Sequence, residues 1–208
     1  IDAAEEMTTA NSCVLVGGRA GFKNNADNVT YIGGHAGQNV SGSEGTVAIG
    51  NQALASSSGQ NPTGIVAIGF ESLKVAQTAA SNNTTLGYRT LKSTTTGANN
   101  TAIGNSALGS NTTGSSNATL GYFSLGSNTT GVGSTAVGTN ALSNATTAVQ
   151  NTAVGHLALY TNSTGSFNVA VGQNALAFST TGAQNTTLGH GAGAVSYTHL
   201  RAHETQFH

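Results

Sequence analysis

Residues 100–116 read NTAIGNSALGSNTTGSS, and a near copy, NATLGYFSLGSNTTGVG, follows at once at 117–133. A third version, NTAVGHLALYTNSTGSF, occupies 151–167. A short aliphatic segment, a glycine, a leucine four places later and an Asn/Thr/Gly stretch therefore recur as a unit of about 17 residues. Self-similarity at such a fixed period is the sequence mark of a solenoid.

Extended in both directions, the glycine keeps its register at Gly33, Gly50, Gly69, Gly87, Gly104, Gly121, Gly138, Gly155, Gly172 and Gly189. The first three steps are 17, 19 and 18 residues, every later one is 17, and Gly17 begins the series one shorter step earlier. The residue before the glycine is always aliphatic: Val16, Ile32, Ile49, Ile68, Leu86, Ile103, Leu120, Val137, Val154, Val171 and Leu188. Four places after it stand Leu54, Leu73, Leu91, Leu108, Leu125, Leu142, Leu159 and Leu176. The first, second and last units carry Gly21, Gly37 and Gly193 there instead, which marks atypical ends or a change of cross-section.

TAIG suits a short strand, with Thr101 and Ile103 on one side and Ala102 on the other. Gly104 then permits a bend or a positive backbone angle, and the Asn and Gly of SNTTG supply a second turn. Helices are disfavoured by the recurring glycines and by the lack of a sustained 3.6-residue apolar pattern. The expected fold is all-β, a β-solenoid or β-roll of about 17-residue coils. Successive coils would stack roughly 4.8 Å apart, with Asn and Thr columns continuing hydrogen bonds between layers. Whether a coil holds two strands or three is left open.

The 208 residues include 29 Gly, one Pro, no Trp, five Tyr and six Phe. Large aliphatics are sparse, so the pre-glycine aliphatic and the leucine are the two burial-worthy side chains of each unit. Two such residues are a small return against the entropy of ordering a whole coil. The imbalance favours several chains sharing a central core, a homo-oligomer. Six basic and seven acidic side chains give a net charge of −1, and none lies between Lys92 and Arg201. A phosphate-tracking groove needs more cations, which argues against nucleic acid. A single cysteine, Cys13, cannot close an intrachain disulfide. No apolar run is long enough to cross a bilayer as a helix.

The TAIG and TAVG units resemble the head repeats of trimeric autotransporter adhesins, in which short coils from three chains form a β-roll. The complete NTAIG…AL…NTTG pattern looks still more like the repetitive shafts of tail-fibre-like proteins. The resemblance covers residues 14–193 and implies a parallel homotrimer. It transfers structural columns alone, aliphatic–glycine pairs such as Ile103 with Gly104 and the following Leu108, and no catalytic residue. The chain is expected to divide into the cut edge of a longer protein (1–13), the repetitive rod (14–193) and a non-native or disordered tail (194–208).

Other features are weaker. In the tail, His199 and His203 are four apart with Glu204 and His208 nearby, a spacing that on a helix brings imidazoles toward one metal. The string VSYTHLRAHET, however, looks like translated sequencing-adapter read-through. His156, His190, Phe70, Tyr88 and Tyr122 all directly follow a repeat glycine, as expected of a solvent-facing edge that could stack on sugars. VLVGGRAG and YIGGHAG lack phosphate-loop spacing and are read as turns. Asp2, Glu5, Glu6, Asp27, Glu44 and Glu71 form no calcium-loop or paired-acid pattern. The expectation is a non-enzymatic structural or adhesive segment of an extracellular or virion fibre, without cofactor or metal, meeting a surface glycan or protein receptor. The alternative is an ice-binding solenoid using Thr columns such as Thr101 and Thr152, or Thr112 and Thr129.

Overall fold

In the computed structural model, which describes residues 12–56 and 60–193, every aliphatic–glycine segment opens as a three-residue strand. The strands are β1 (Val14–Val16), β2 (Thr30–Ile32), β3 (Val47–Ile49), β4 (Val66–Ile68), β5 (Thr84–Leu86) and β6 (Thr101–Ile103). They continue with β7 (Ala118–Leu120), β8 (Thr135–Val137), β9 (Thr152–Val154), β10 (Val169–Val171) and β11 (Thr186–Leu188). All eleven form one parallel sheet in chain order, so the fold is an all-parallel β-solenoid of about 17-residue repeats. Each coil contributes one strand, not two or three. The register follows the glycine columns: Ile103 pairs with Leu120, and Leu120 with Val137.

The bend after each strand needs glycine for two reasons. From Gly17 to Gly189 the φ angles of this column lie between 119° and 143°, a region L side chains rarely enter. The coils also approach closely there: a Cβ on Gly104 would sit 2.3 Å from the carbonyl oxygen of Gly121. The leucines four places on are more unusual. Leu54 through Leu176 hold φ between 47° and 53°, the left-handed region that costs an L-residue about 1–2 kcal/mol. Burial offsets that cost, since seven of the eight are completely or almost completely enclosed and Leu176 is buried as well. The same backbone angle accounts for Gly21, Gly37 and Gly193 in this column, with φ of 66°, 61° and 63°.

The interior corrects one expectation. Both aliphatics of the unit were expected to be buried, but within the single chain only the leucine is. The strand turns its central residue inward, so Ala48, Ala67, Ala102, Ala136, Ala153 and Ala170 are fully buried against the leucine column. The pre-glycine residues face out, from half-buried Ile49, Ile68, Ile103, Val137, Val154 and Val171 to exposed Ile32, Leu86, Leu120 and Leu188. A 17-residue coil with leucine on one wall has room for only a small residue on the other, alanine in most coils and threonine at Thr85 and Thr119, opposite Leu91 and Leu125. Where the inward strand residue is much larger, the leucine is missing: Leu15 with Gly21 and Tyr31 with Gly37.

Buried polar side chains tie the layers together. Asn83, Asn100 and Asn117 form a ladder in which each Oδ1 accepts the next coil's backbone N–H, at 2.8 Å (Asn100), 3.0 Å (Asn117) and 2.9 Å (Ser134). Their Nδ2 groups donate to the carbonyls of Gly97, Gly114 and Gly131. The ladder resumes through Asn151, Asn168 and Asn185. At the SNTTG corner, Asn128 donates to Asn111 at 2.9 Å. Beside it the Thr112 and Thr129 hydroxyls donate to the carbonyls of Thr129 and Thr146 at 2.9 and 3.0 Å. These ladders leave few buried polar atoms without a partner.

Candidate functional site

The outer face of the sheet is the first candidate. Strand pleating turns the first and third residues of every strand out of the coil, so Thr, Val or Ala forms one column and Val, Ile or Leu the other. Parallel in-register pairing carries both columns through all eleven coils without interruption. Leu120 is 50% exposed and Val16 54% exposed. The result is a continuous apolar stripe bordered by Thr hydroxyls, larger than scattered surface hydrophobes produce. The columns Ile49/Gly50/Leu54, Ile68/Gly69/Leu73, Leu86/Gly87/Leu91 and Ile103/Gly104/Leu108 thus divide their roles. Aliphatic residues form the stripe, glycines the bend and leucines the core; Leu120/Gly121/Leu125, Val137/Gly138/Leu142, Val154/Gly155/Leu159 and Val171/Gly172/Leu176 repeat the arrangement. In the last unit Leu188 and Gly189 keep the first two roles.

Next to the bend lies the ring column, and Phe70, Tyr88, Tyr122, His156 and His190 are all exposed. Phe70 and Tyr88, on neighbouring coils, stack with centroids 5.4 Å apart and planes at 11°. The guanidinium of Arg89 lies 4.9 Å from the Tyr88 ring centre and 5.9 Å from that of Phe70, within cation–π range. His156 and His190, two coils apart, are not brought together.

Sequence reasoning missed the ion cluster beside these rings. Glu71 Oε1 pairs with Lys74 Nζ at 2.7 Å, and its Oε2 pairs with Arg89 Nε at 2.8 Å and Lys92 Nζ at 2.9 Å. Its side chain is only 9% exposed. Hydrogen bonds from Lys74 first, then Lys92 and Arg89, draw its carboxyl down to about 2, against an opposing effect of desolvation. The signal was present in spacing: Glu71 and Arg89 share one column of adjacent coils, and Lys74 and Lys92 share another.

Cys13 is half-buried, its thiol 3.4 Å from the Ala26 carbonyl. Among the described residues no three His, Cys, Asp or Glu side chains gather as a metal site, and no helix is long and apolar enough to cross a membrane. Asp2, Glu5, Glu6 and the tail residues His199, His203, Glu204 and His208 lie outside the described residues. Stripe and ring column together define a repeat rod with surfaces suited to contact. No protein-family model, curated protein or solved structure matches the chain.

Proposed function

We propose that this chain is a rod segment of an extracellular or virion fibre, built as a parallel homotrimer whose three chains cover one another's aliphatic stripes. The observation that carries this reading is the stripe from Val16 to Leu188, which a single chain leaves partly open to water, most of all at Val16, Ile32, Leu86, Leu120 and Leu188. A neutral, continuous apolar face is best covered by an equally long and equally regular surface, and another copy of the chain provides one. Covering it would also supply the second buried aliphatic of each coil. The role is mechanical: a stack of coils spaces or presents a binding tip. The test is the absolute mass by sedimentation equilibrium. A threefold mass is expected, and a stable monomer at micromolar concentration would overturn the shared-core arrangement.

One observation favours a second reading. Thr30, Thr84, Thr101, Thr135, Thr152 and Thr186 recur on the outer face beside the aliphatic column, interrupted by Val47, Val66, Ala118 and Val169, an array that could order water if the face stayed free. The corner threonines do not contribute, because Thr112 and Thr129 spend their hydroxyls on the next coil. Thermal hysteresis by a monomeric rod would favour ice binding over the fibre.

A further inference from the structure

The rod concentrates its charge. Past Lys92 no Asp, Glu, Lys or Arg occurs until Arg201, whereas three cations converge on the single carboxylate of Glu71. Within that cluster two positive charges are uncompensated, and the side chains of Lys74, Arg89 and Lys92 remain 31%, 42% and 36% exposed. Arg89 reaches Glu71 through Nε, so its terminal nitrogens stand beyond that contact, next to the Phe70–Tyr88 pair.

The same corner continues toward the N-terminus with a different relief. In the first two coils the ring position is held by Gly18 and Gly34, and there a cleft of about 440 Å³ opens, lined by Gly18, Arg19, Gly34, His35 and Asn51. Asn51 holds the ring position in the coil immediately before Phe70. Gly18, Gly34, Asn51, Phe70 and Tyr88 therefore lie in one line parallel to the axis. Four inter-coil steps of about 4.8 Å make that line about 19 Å long. It runs from a cleft edged by Arg19 to an aromatic pair edged by Arg89 and Lys92.

We propose that this line binds an acidic oligosaccharide, one bearing carboxylates on its sugar rings, laid along the rod. Arg89, Lys92 and Arg19 receive carboxylates through charge-assisted hydrogen bonds. Phe70 and Tyr88 offer an apolar surface to the sugar, and Asn51 supplies amide hydrogen bonding between them. A neutral glycan would leave the excess positive charge unused. Single-stranded nucleic acid fits less well, because it needs a track of cations. Here the cations are few and sit at the two ends of the line, Arg19 at one and Arg89 with Lys92 at the other, not along it. The site goes beyond the fibre reading and needs only one chain: binding by a monomer would leave it standing while the trimer fell.

The test is calorimetric titration of the full chain with a short oligogalacturonate, with neutral maltohexaose and oligothymidylate as comparators. Oligogalacturonate is expected to bind about tenfold or more tighter than maltohexaose, and to weaken as salt is raised. Lys92→Gln, which leaves Lys74 and Arg89 on Glu71, and Tyr88→Ala should each weaken binding by about fivefold to tenfold. Phe178→Ala, a ring at the other end of the rod, should leave binding unchanged and controls for general surface effects. Absence of binding, equal binding of maltohexaose, tighter binding of oligothymidylate, or indifference to both site variants would each overturn the assignment.

Discussion

The ring of Tyr31 occupies the space in front of Gly37: a Cβ on Gly37 would lie 2.4 Å from Cδ2 and Cε2 of that ring. Gly37 has the left-handed backbone that leucine adopts in the next coil, φ 61° against 51° at Leu54. What bars leucine from position 37 is the filled volume. Gly37→Leu alone should therefore lose about 1–3 kcal/mol through overpacking, and Tyr31→Ala alone about 3–5 kcal/mol through a cavity. The double variant recreates the Ala–Leu pair of the central coils and should recover most of the loss. Urea denaturation of the four proteins in a double-mutant cycle checks this, and additive losses would refute the pairing.

The coil between Ser134 and Gln150 breaks both Asn ladders, with Ser134 and Ala145 in their places. It also carries Ala148 where neighbouring coils have Gly131 and Gly165. A Cβ on Gly131 would lie 2.2 Å from the carbonyl oxygen of Ala148 in the next coil and 2.4 Å from Asn128 Oδ1 in its own, so the Asn adds to the crowding at this position. At position 148 the alanine meets no amide from residue 145, so the second of these two contacts is absent. Ala145→Asn should destabilise by itself, whereas Ala145→Asn with Ala148→Gly should rejoin Asn128 to Asn162 and gain about 0.5–1.5 kcal/mol per bond restored. Thermal melting of both variants distinguishes these outcomes.

Glu71 predicts an acid limb in stability. Its carboxyl moves from an ordinary 4.5 to about 2 on folding, drawn down by the hydrogen bonds from Lys74, Lys92 and Arg89. Because the folded value is the lower one, the contribution is fully present above 4.5. It is lost as pH falls toward 2, where the unfolded chain takes up its proton first. Stability measured through that window should fall in the parent and fall less steeply in Glu71→Gln. Parallel curves would show that the cluster contributes nothing to the acid response.

The aliphatic stripe predicts a separation between folding and assembly. Leu120 is half exposed and Val137 half buried on the outer face of one chain, so aspartates there leave the Ala–Leu interior untouched. Leu120→Asp with Val137→Asp should keep the β-type circular dichroism while reducing the sedimenting mass to one chain. An unchanged mass would mean that the stripe is not the assembly face.

Much of this architecture was legible because a stacked fold writes itself into period. The glycine steps located all eleven strands and their pairing register, down to the longer steps before Gly69 and Gly87. Which strand face turns inward was not legible from alternation, since Thr101 and Ile103 on one side or Ala102 on the other satisfy it equally. The answer lies in volume across the coil, set by Leu108 on the opposite wall. The left-handed leucines were also hidden, because propensity argues against them; the hint was that glycine replaces them at 21, 37 and 193. The Glu71 cluster leaves no motif along the chain, because its partners Arg89 and Lys92 lie one coil away.

The missing rungs at Ser134 and Ala145 carry a mechanical consequence. In a quasi-one-dimensional stack each layer is held only by its neighbours, so strength is set by the poorest junction rather than by the sum. There Ala145 offers no amide, Asn162 Oδ1 is buried without a partner, and the first ladder crosses only through Ser134 Oγ, 3.2 Å from the N–H of Asn151. Within the stretch that the Asn ladders span, from Asn83 to Asn185, this is the expected fault line under tension or partial denaturation, between a block ending near Gly133 and a block beginning near Asn151.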